Sequence, residues 1–502
     1  MARRRGNLAP TAPNRRCRVK LYDNNEEALG FAIDGISRII GFIAAAVFLS
    51  TAIINLAKEE AGCITDIPEG EQQSPECNAR VYGLRPSSLL TTYGTIVGLI
   101  SAFSLPIVGA LVDYTSHRKL IGLISAILHL CFIFAQIWIN ESNWFLMTIL
   151  QVFSAFVGWM HTLIVFAYLP ELTDDKDLLM SWTANFHMLQ YVALVAFLLY
   201  MLGMNYVLGF SEQGDDILAS RTASISSLII AAPCYIFTWT RLMKRRASFH
   251  RLPQDSSLLT VGFVKVYRSS KILYQRHPSL LWFFLNVSLV EAAQQSIATI
   301  SLTYMTDTLQ MTATENGIAI LLLFIFGIVG AFIGKMSVKI VNPILSNQIC
   351  QVLTGLNTGM AALILYKPSQ QIRTYIIASI WGIGAGWKNT IERFTITQII
   401  PKGQDAELMG FYLFSSQILV WCPTLLFTIL NEAGVNSRLS LMVLIVFFVG
   451  GLLSLWMMGS YEEVVRVARE ESSDLDGGDS KNDIDSQQSN GQTNDENVEV
   501  KE

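Results

Sequence analysis

The sequence predicts an all-α, polytopic membrane protein with twelve transmembrane helices in two pseudo-symmetric six-helix bundles. Three observations carry this. Of 502 residues, 51% are hydrophobic and 15% charged, and the mean hydropathy is +0.40; soluble domains run nearer a quarter charged. The apolar residues fall in blocks that reach the ~20 residues needed to cross ~30 Å of hydrocarbon. The blocks divide six and six about a basic connection, the plan of many secondary transporters.

In chain order, residues 1–35 form a basic N-terminal segment with Arg3, Arg4, Arg5, Arg15, Arg16, Arg18 and Lys20. The N-terminal bundle occupies 36–243, with apolar blocks at about 36–57, 88–112, 120–139, 144–169, 181–203 and 222–243. The first block follows a long polar stretch and lacks a small-residue cleavage site, so it is read as a retained span. Residues 244–278 are a basic cytoplasmic linker. There Leu258, Leu259, Val261, Val264 and Tyr267 alternate with polar and basic residues, a pattern that suits either a short interfacial helix or a solvated connection. The C-terminal bundle occupies 279–459, with blocks at about 279–305, 315–334, 343–366, 373–400, 407–430 and 439–459. An acidic tail, 460–502, lacks aromatics beyond Tyr461 and is expected to be disordered.

Basic side chains resist translocation and stay on the cytoplasmic side. The basic N-terminal segment, the loop with Arg118 and Lys119, the central linker, and Lys335, Lys339 and Lys402 all fall on one side of the predicted spans. Both termini and the linker are therefore expected in the cytoplasm. The formal net charge of −4 conceals this face: residues 470–502 hold eleven acids against two lysines, which leaves the remainder at +5. That balance suits anionic lipid and is too small and scattered for nucleic-acid binding.

Of seven cysteines, four lie in spans as small apolar residues. Cys63 and Cys77 share the first non-cytoplasmic loop, where an oxidising compartment would permit a disulfide but spacing does not decide it.

Between the second and third spans the chain reads Leu105-Pro106-Ile107-Val108-Gly109-Ala110-Leu111-Val112-Asp113-Tyr114-Thr115-Ser116-His117-Arg118-Lys119. This resembles the cytoplasmic loop motif of the major facilitator superfamily, departing from it at Tyr114 and Ser116. Physically, Gly109 would let helices approach, and Asp113 would pair with Arg118 or a base on another helix as a conformational latch with Lys119. Gly330, Gly334, Lys335 and Lys339 repeat the pattern in the second half without the acid. Residues 382–430, from Gly382-Ile383-Gly384-Ala385-Gly386 through Pro401-Lys402-Gly403 to Ala406-Glu407-Leu408-Met409-Gly410-Phe411-Tyr412, resemble the vacuole effluxer branch of that superfamily, as does Leu169-Pro170-Glu171-Leu172. The approach to the first span and the start of the fifth depart from that branch's pattern. The resemblance implies a monomeric secondary transporter that moves amino acids from a vacuole or lysosome-like lumen to the cytosol, with proton coupling and a plasma-membrane location left open.

Ionisable residues at bilayer depth are costly and face a cavity or a partner. Glu291 lies near the middle of the seventh span and is the first coupling candidate, against a packing carboxyl bonded to Gln294 or Gln295. Lys388 and Glu392 are four apart on one helix face and read as an ion pair, or as groups for which a substrate carboxylate competes. Asp34 and Arg38 read as an interfacial pair at the start of the first span. His161 and Gln190 are further candidates, with packed neutral histidine the commoner case. No metal-ligand spacing, phosphate loop or nucleophile elbow is present, so neither an enzyme nor a cofactor is expected. A non-transporting receptor of the same fold, docking through its acidic tail, is the alternative.

Overall fold

The computed structural model describes residues 25–467 apart from 64–76, 78, 174–175, 211–214, 246–256, 369 and 401–404, together with Tyr22. The basic segment before residue 22 and the acidic tail after 467 lie outside the described residues. Among the described residues there is no strand beyond one bridge between Val81 and Leu84.

The helices are α1 (Glu26–Glu60), α2 (Pro86–Tyr114), α3 (Arg118–Gln136), α4 (Trp144–Phe166), α5 (Lys176–Leu208), α6 (Asp216–Leu242), α7 (Leu258–Arg276), α8 (Pro278–Asp307), α9 (Ala313–Ser337), α10 (Pro343–Ile364), α11 (Gln371–Ile399), α12 (Leu408–Glu432) and α13 (Ser437–Met458). Helix α1 starts ten residues before its apolar block. Asn25 caps it, accepting from the backbone N–H groups of Glu27 and Ala28 at 3.0 Å each. Nine helices among the described residues, α1–α6, α9, α12 and α13, are long and apolar enough to cross a membrane. Helices α8, α10 and α11 have 30, 22 and 29 residues, the length of a span, but not the hydropathy. They are the helices that carry Asn286, Glu291, Asn347, Gln351, Lys388 and Glu392.

Helix α1 packs on α5 and α6, and α4 on α2 and α3; in the second half α11 packs on α9 and α10, and α8 on α12 and α13. The halves meet where α12 lies on α2, α9 on α5 and α8 on α2. Large apolar side chains such as Phe103, Phe332, Leu356 and Trp456 point outward, where lipid would cover them.

The linker contains a helix. Helix α7 buries Val261, Gly262 and Leu273 against α2 and α8, and exposes Leu259, Phe263, Val264 and Tyr267. Gly262 lies directly on the Pro106 carbonyl, a contact that a Cβ would forbid.

Candidate functional site

Three residues singled out from the sequence converge in the C-terminal half. Lys388 Nζ lies 2.8 Å from Glu392 Oε2 one turn along α11, and it also pairs with Glu291 Oε2 from α8. Gln295 Nε2 donates to the other Glu291 oxygen at 3.1 Å, and Tyr412 faces Glu392 from α12. The side chains of Lys388 and Glu392 are 3% and 1% exposed, whereas Glu291 is 20% exposed. Two carboxylates thus share one ammonium. The cluster carries a net negative charge unless one acid is protonated, and Glu291 is the acid that solvent or solute can reach.

The glycine-rich middle of α11 holds Lys388 in place. Gly382 and Gly386 lie on the carbonyls of Leu323 and Gly327 in α9, and Gly330 lies on that of Ile383. The two backbones meet without intervening side chains, the close packing that small residues allow in membranes. Trp387 Nε1 is within hydrogen-bonding distance of Ser337 Oγ (3.2 Å) and Ser346 Oγ (3.1 Å), tying α11 to α9 and α10.

A second cluster fills the N-terminal half. Asp34 is fully buried rather than interfacial: α1 begins at Glu26, which places this residue inside the bundle. Its Oδ1 is 2.9 Å from both His161 Nε2 and Trp239 Nε1. His161 Nδ1 lies 2.7 Å from Ser125 Oγ, which also lies 2.9 Å from the Gly122 carbonyl. His161 is therefore held at both nitrogens. Arg38 approaches the second Asp34 oxygen at 3.8 Å. Gln190 lies against Gly35 of α1. Sequence reasoning selected His161 but missed Asp34 as its partner, because a contact 127 residues apart leaves no local pattern.

Of the two partners expected for Asp113, the structure has the base on another helix and not Arg118. Asp113 pairs with Lys265 of α7 at 3.0 Å. Arg118 is fully buried, 3.1 Å from Glu171, and bonds the Ala167 and Val112 carbonyls at 3.3 Å each. The linker helix reaches Asp113 from the side, while Arg118 turns into its own half. Lys119 is half-buried at the start of α3. Gly109 faces open space; the close approach expected there occurs at Gly262.

Cys63 and Cys77 are joined by a disulfide, with Cα atoms 5.7 Å apart. At that end the halves are bound together. Lys58, unremarked in the sequence, is buried and pairs with Asp307 at 3.4 Å, also donating to the Thr306 carbonyl at 2.7 Å. Asn431 Nδ2 donates to Ser87 and Ser88 at 2.7 and 3.0 Å, and Thr428 Oγ1 donates to Thr91 Oγ1 at 2.7 Å. Thr95 bonds Thr424 at 3.1 Å, and Glu432 accepts from the Arg85 N–H at 2.8 Å. The conformation is closed at the disulfide end.

A family model described as "Vacuole effluxer Atg22 like" matches residues 25–463. The chain belongs to this family. The fold is that of solved transporters of the major facilitator type. A point mutant of the nucleoside transporter NupG shares 12% identity at a TM-score of 0.59, covering 86% of this chain and 100% of NupG. The inward-open xylose transporter XylE from E. coli shares 12% at 0.54, covering 86% and 94%. A D-xylose–proton symporter shares 12% at 0.57, covering 87% and 97%. No curated protein sequence matches. As a member of the vacuole effluxer family with this fold, the chain is a multi-pass membrane transporter.

Proposed function

We propose that the protein exports small polar solutes, amino acids foremost, from a vacuole-like lumen to the cytosol by alternating access, with protonation of Glu291 as the coupling event. One observation carries the mechanism: two carboxylates contend for the single ammonium of Lys388. Glu291 lies about 20 Å along a helix of about 45 Å, close to the midplane. When Glu291 takes a proton, Lys388 and Glu392 remain as a neutral pair and α8 is released from α11. When Glu291 is ionised, Lys388 ties the two helices. A proton thereby changes which contacts hold the C-terminal half together.

Two features support the orientation of the chain in the membrane. A disulfide suits an oxidising lumen, and the basic loops assign the opposite end to the cytosol. A conformation closed at the disulfide end is one that an exporter of this orientation passes through when it releases solute to the cytosol.

The test is efflux from proteoliposomes loaded with an equimolar mixture of the twenty standard amino acids, followed by mass spectrometry of the exterior. Release of a defined subset, accelerated by a pH gradient, is expected. Liposomes that retain the whole mixture under every gradient would count against the assignment.

A further inference from the structure

The N-terminal half holds buried polar atoms that make no hydrogen bond among the described residues. Arg38 Nη1 is buried, stands 3.8 Å from the nearest Asp34 oxygen and makes no hydrogen bond among the described residues. Asp34 accepts from His161 and Trp239 at Oδ1, while its Oδ2, the atom that faces Arg38, makes no hydrogen bond among the described residues, so the two groups form a loose ion pair. Gln190 Nε2 is likewise buried without an acceptor. Its side chain fills the space beside Gly35, about one helical turn before Arg38 on α1, where any side chain at Gly35 would displace it.

His187 lies one turn before Gln190 on α5. Phe166 links the groups: the Arg38 guanidinium sits 5.6 Å from the centre of its ring, and the ring of His187 sits 6.2 Å from it. The field at His187 comes from Arg38 and, from the other half, Arg393. Arg393 is exposed although it lies within α11. Two cations, Arg393 and Arg38, therefore act on His187, and Asp34 is the acid paired with Arg38.

A buried N–H without a close acceptor is costly, and Arg38 Nη1 and Gln190 Nε2 both keep hydrogen-bonding capacity that a bound acceptor would use. Such a group must accept from a planar guanidinium and an amide, and must tolerate an aromatic ring beside it. A carboxylate meets each demand, because its two oxygens match the guanidinium fork. We propose that Arg38 and Gln190, with His187 beside them, form a subsite for the carboxylate of the transported solute. The subsite rests on the reading of the chain as a transporter of small polar solutes. It places the solute's anionic end on the N-terminal half, leaving a cationic end to meet Glu291.

The experiment is counterflow of a ¹⁴C-labelled amino-acid mixture into proteoliposomes, with alanine, alaninamide and inorganic phosphate as competitors. Wild type should be inhibited by alanine about tenfold or more better than by alaninamide, the value of one charge-assisted hydrogen bond. Phosphate should not compete. Arg38→Gln should abolish the preference, and Gln190→Glu, which sets an acid against the incoming carboxylate, should reverse it toward the amide. Melting temperatures of both variants with alanine and alaninamide read binding without transport; if Arg38→Gln does not fold, Gln190→Glu carries the test. Equal inhibition by acid and amide in wild type, phosphate competing as well as alanine, or an unchanged preference in Gln190→Glu, overturns the subsite. Absence of any labelled flux, with melting still raised by alanine over alaninamide, would instead refute transport and leave the subsite standing.

Discussion

Lys388→Met isolates what the charge cluster contributes. Methionine keeps much of the side-chain length but leaves Glu392, 1% exposed, and Glu291 without a counter-ion. At 2.8 Å the gross attraction between Lys388 and Glu392 is about 6 kcal/mol at an effective dielectric constant of ~20. Desolvation of both ions offsets much of that, so the net value of the pair is small. Breaking it costs more, roughly 3–5 kcal/mol, because a buried charge is stranded. At about 2 °C or more per kcal/mol for domains near 200 residues, the variant should melt on the order of 10 °C lower in detergent. Adding Glu392→Gln should recover most of the loss, since the fully buried charge is gone and Glu291, 20% exposed, remains within reach of solvent. Differential scanning fluorimetry of the parent, both single variants and the double variant completes the cycle. Lys388→Met melting with wild type, or a double variant no better than Lys388→Met alone, would refute the reasoning.

Three further outcomes follow from the packing. Gly386→Ala must push against the Gly327 carbonyl and should lower stability by about 1–3 kcal/mol or more, whereas Gly410→Ala meets nothing within 4 Å and should be neutral or slightly stabilising in thermal melts. Lys58→Met removes the buried tie to Asp307 and should open the disulfide end, raising labelling of a Thr95→Cys reporter by an impermeant maleimide at least about tenfold; unchanged labelling would show that this pair does not hold the closed form. Cys63→Ser with Cys77→Ser frees a loop with a sequence separation of 14 and should cost about 3 kcal/mol on the chain-entropy account, seen as a lower melting temperature that reductant no longer changes.

Much of the architecture is legible in the sequence because hydrophobic blocks are local. The block at 343–366 becomes Pro343–Ile364, and that at 439–459 becomes Ser437–Met458. The first block misses the true start because Glu26, Glu27 and Asp34 lower the hydropathy before it, while Asn25 still caps a helix there. The intramembrane charges of the C-terminal half are equally legible as expensive residues needing partners, and the i,i+4 spacing of Lys388 and Glu392 pairs them. That Glu291 joins them is a property of how α8 crosses α11, about a hundred residues away. The loop motif shows the limit of reading a contact from adjacency. Asp113 lies five residues from Arg118, yet the connecting turn sends Arg118 inward and leaves Asp113 to α7. Sequence also underrates Lys58, which looks like a loop lysine and is instead buried by a helix from the other half.

The central claim is that Glu291 exchanges the coupling proton. Its most direct measurement is amino-acid efflux from proteoliposomes at several imposed pH gradients, for wild type and Glu291→Gln. The account predicts that wild-type efflux rises with the gradient, while Glu291→Gln, fixed in the neutral state, loses that dependence. Glu291→Gln efflux that remains undiminished and still follows the gradient would contradict it.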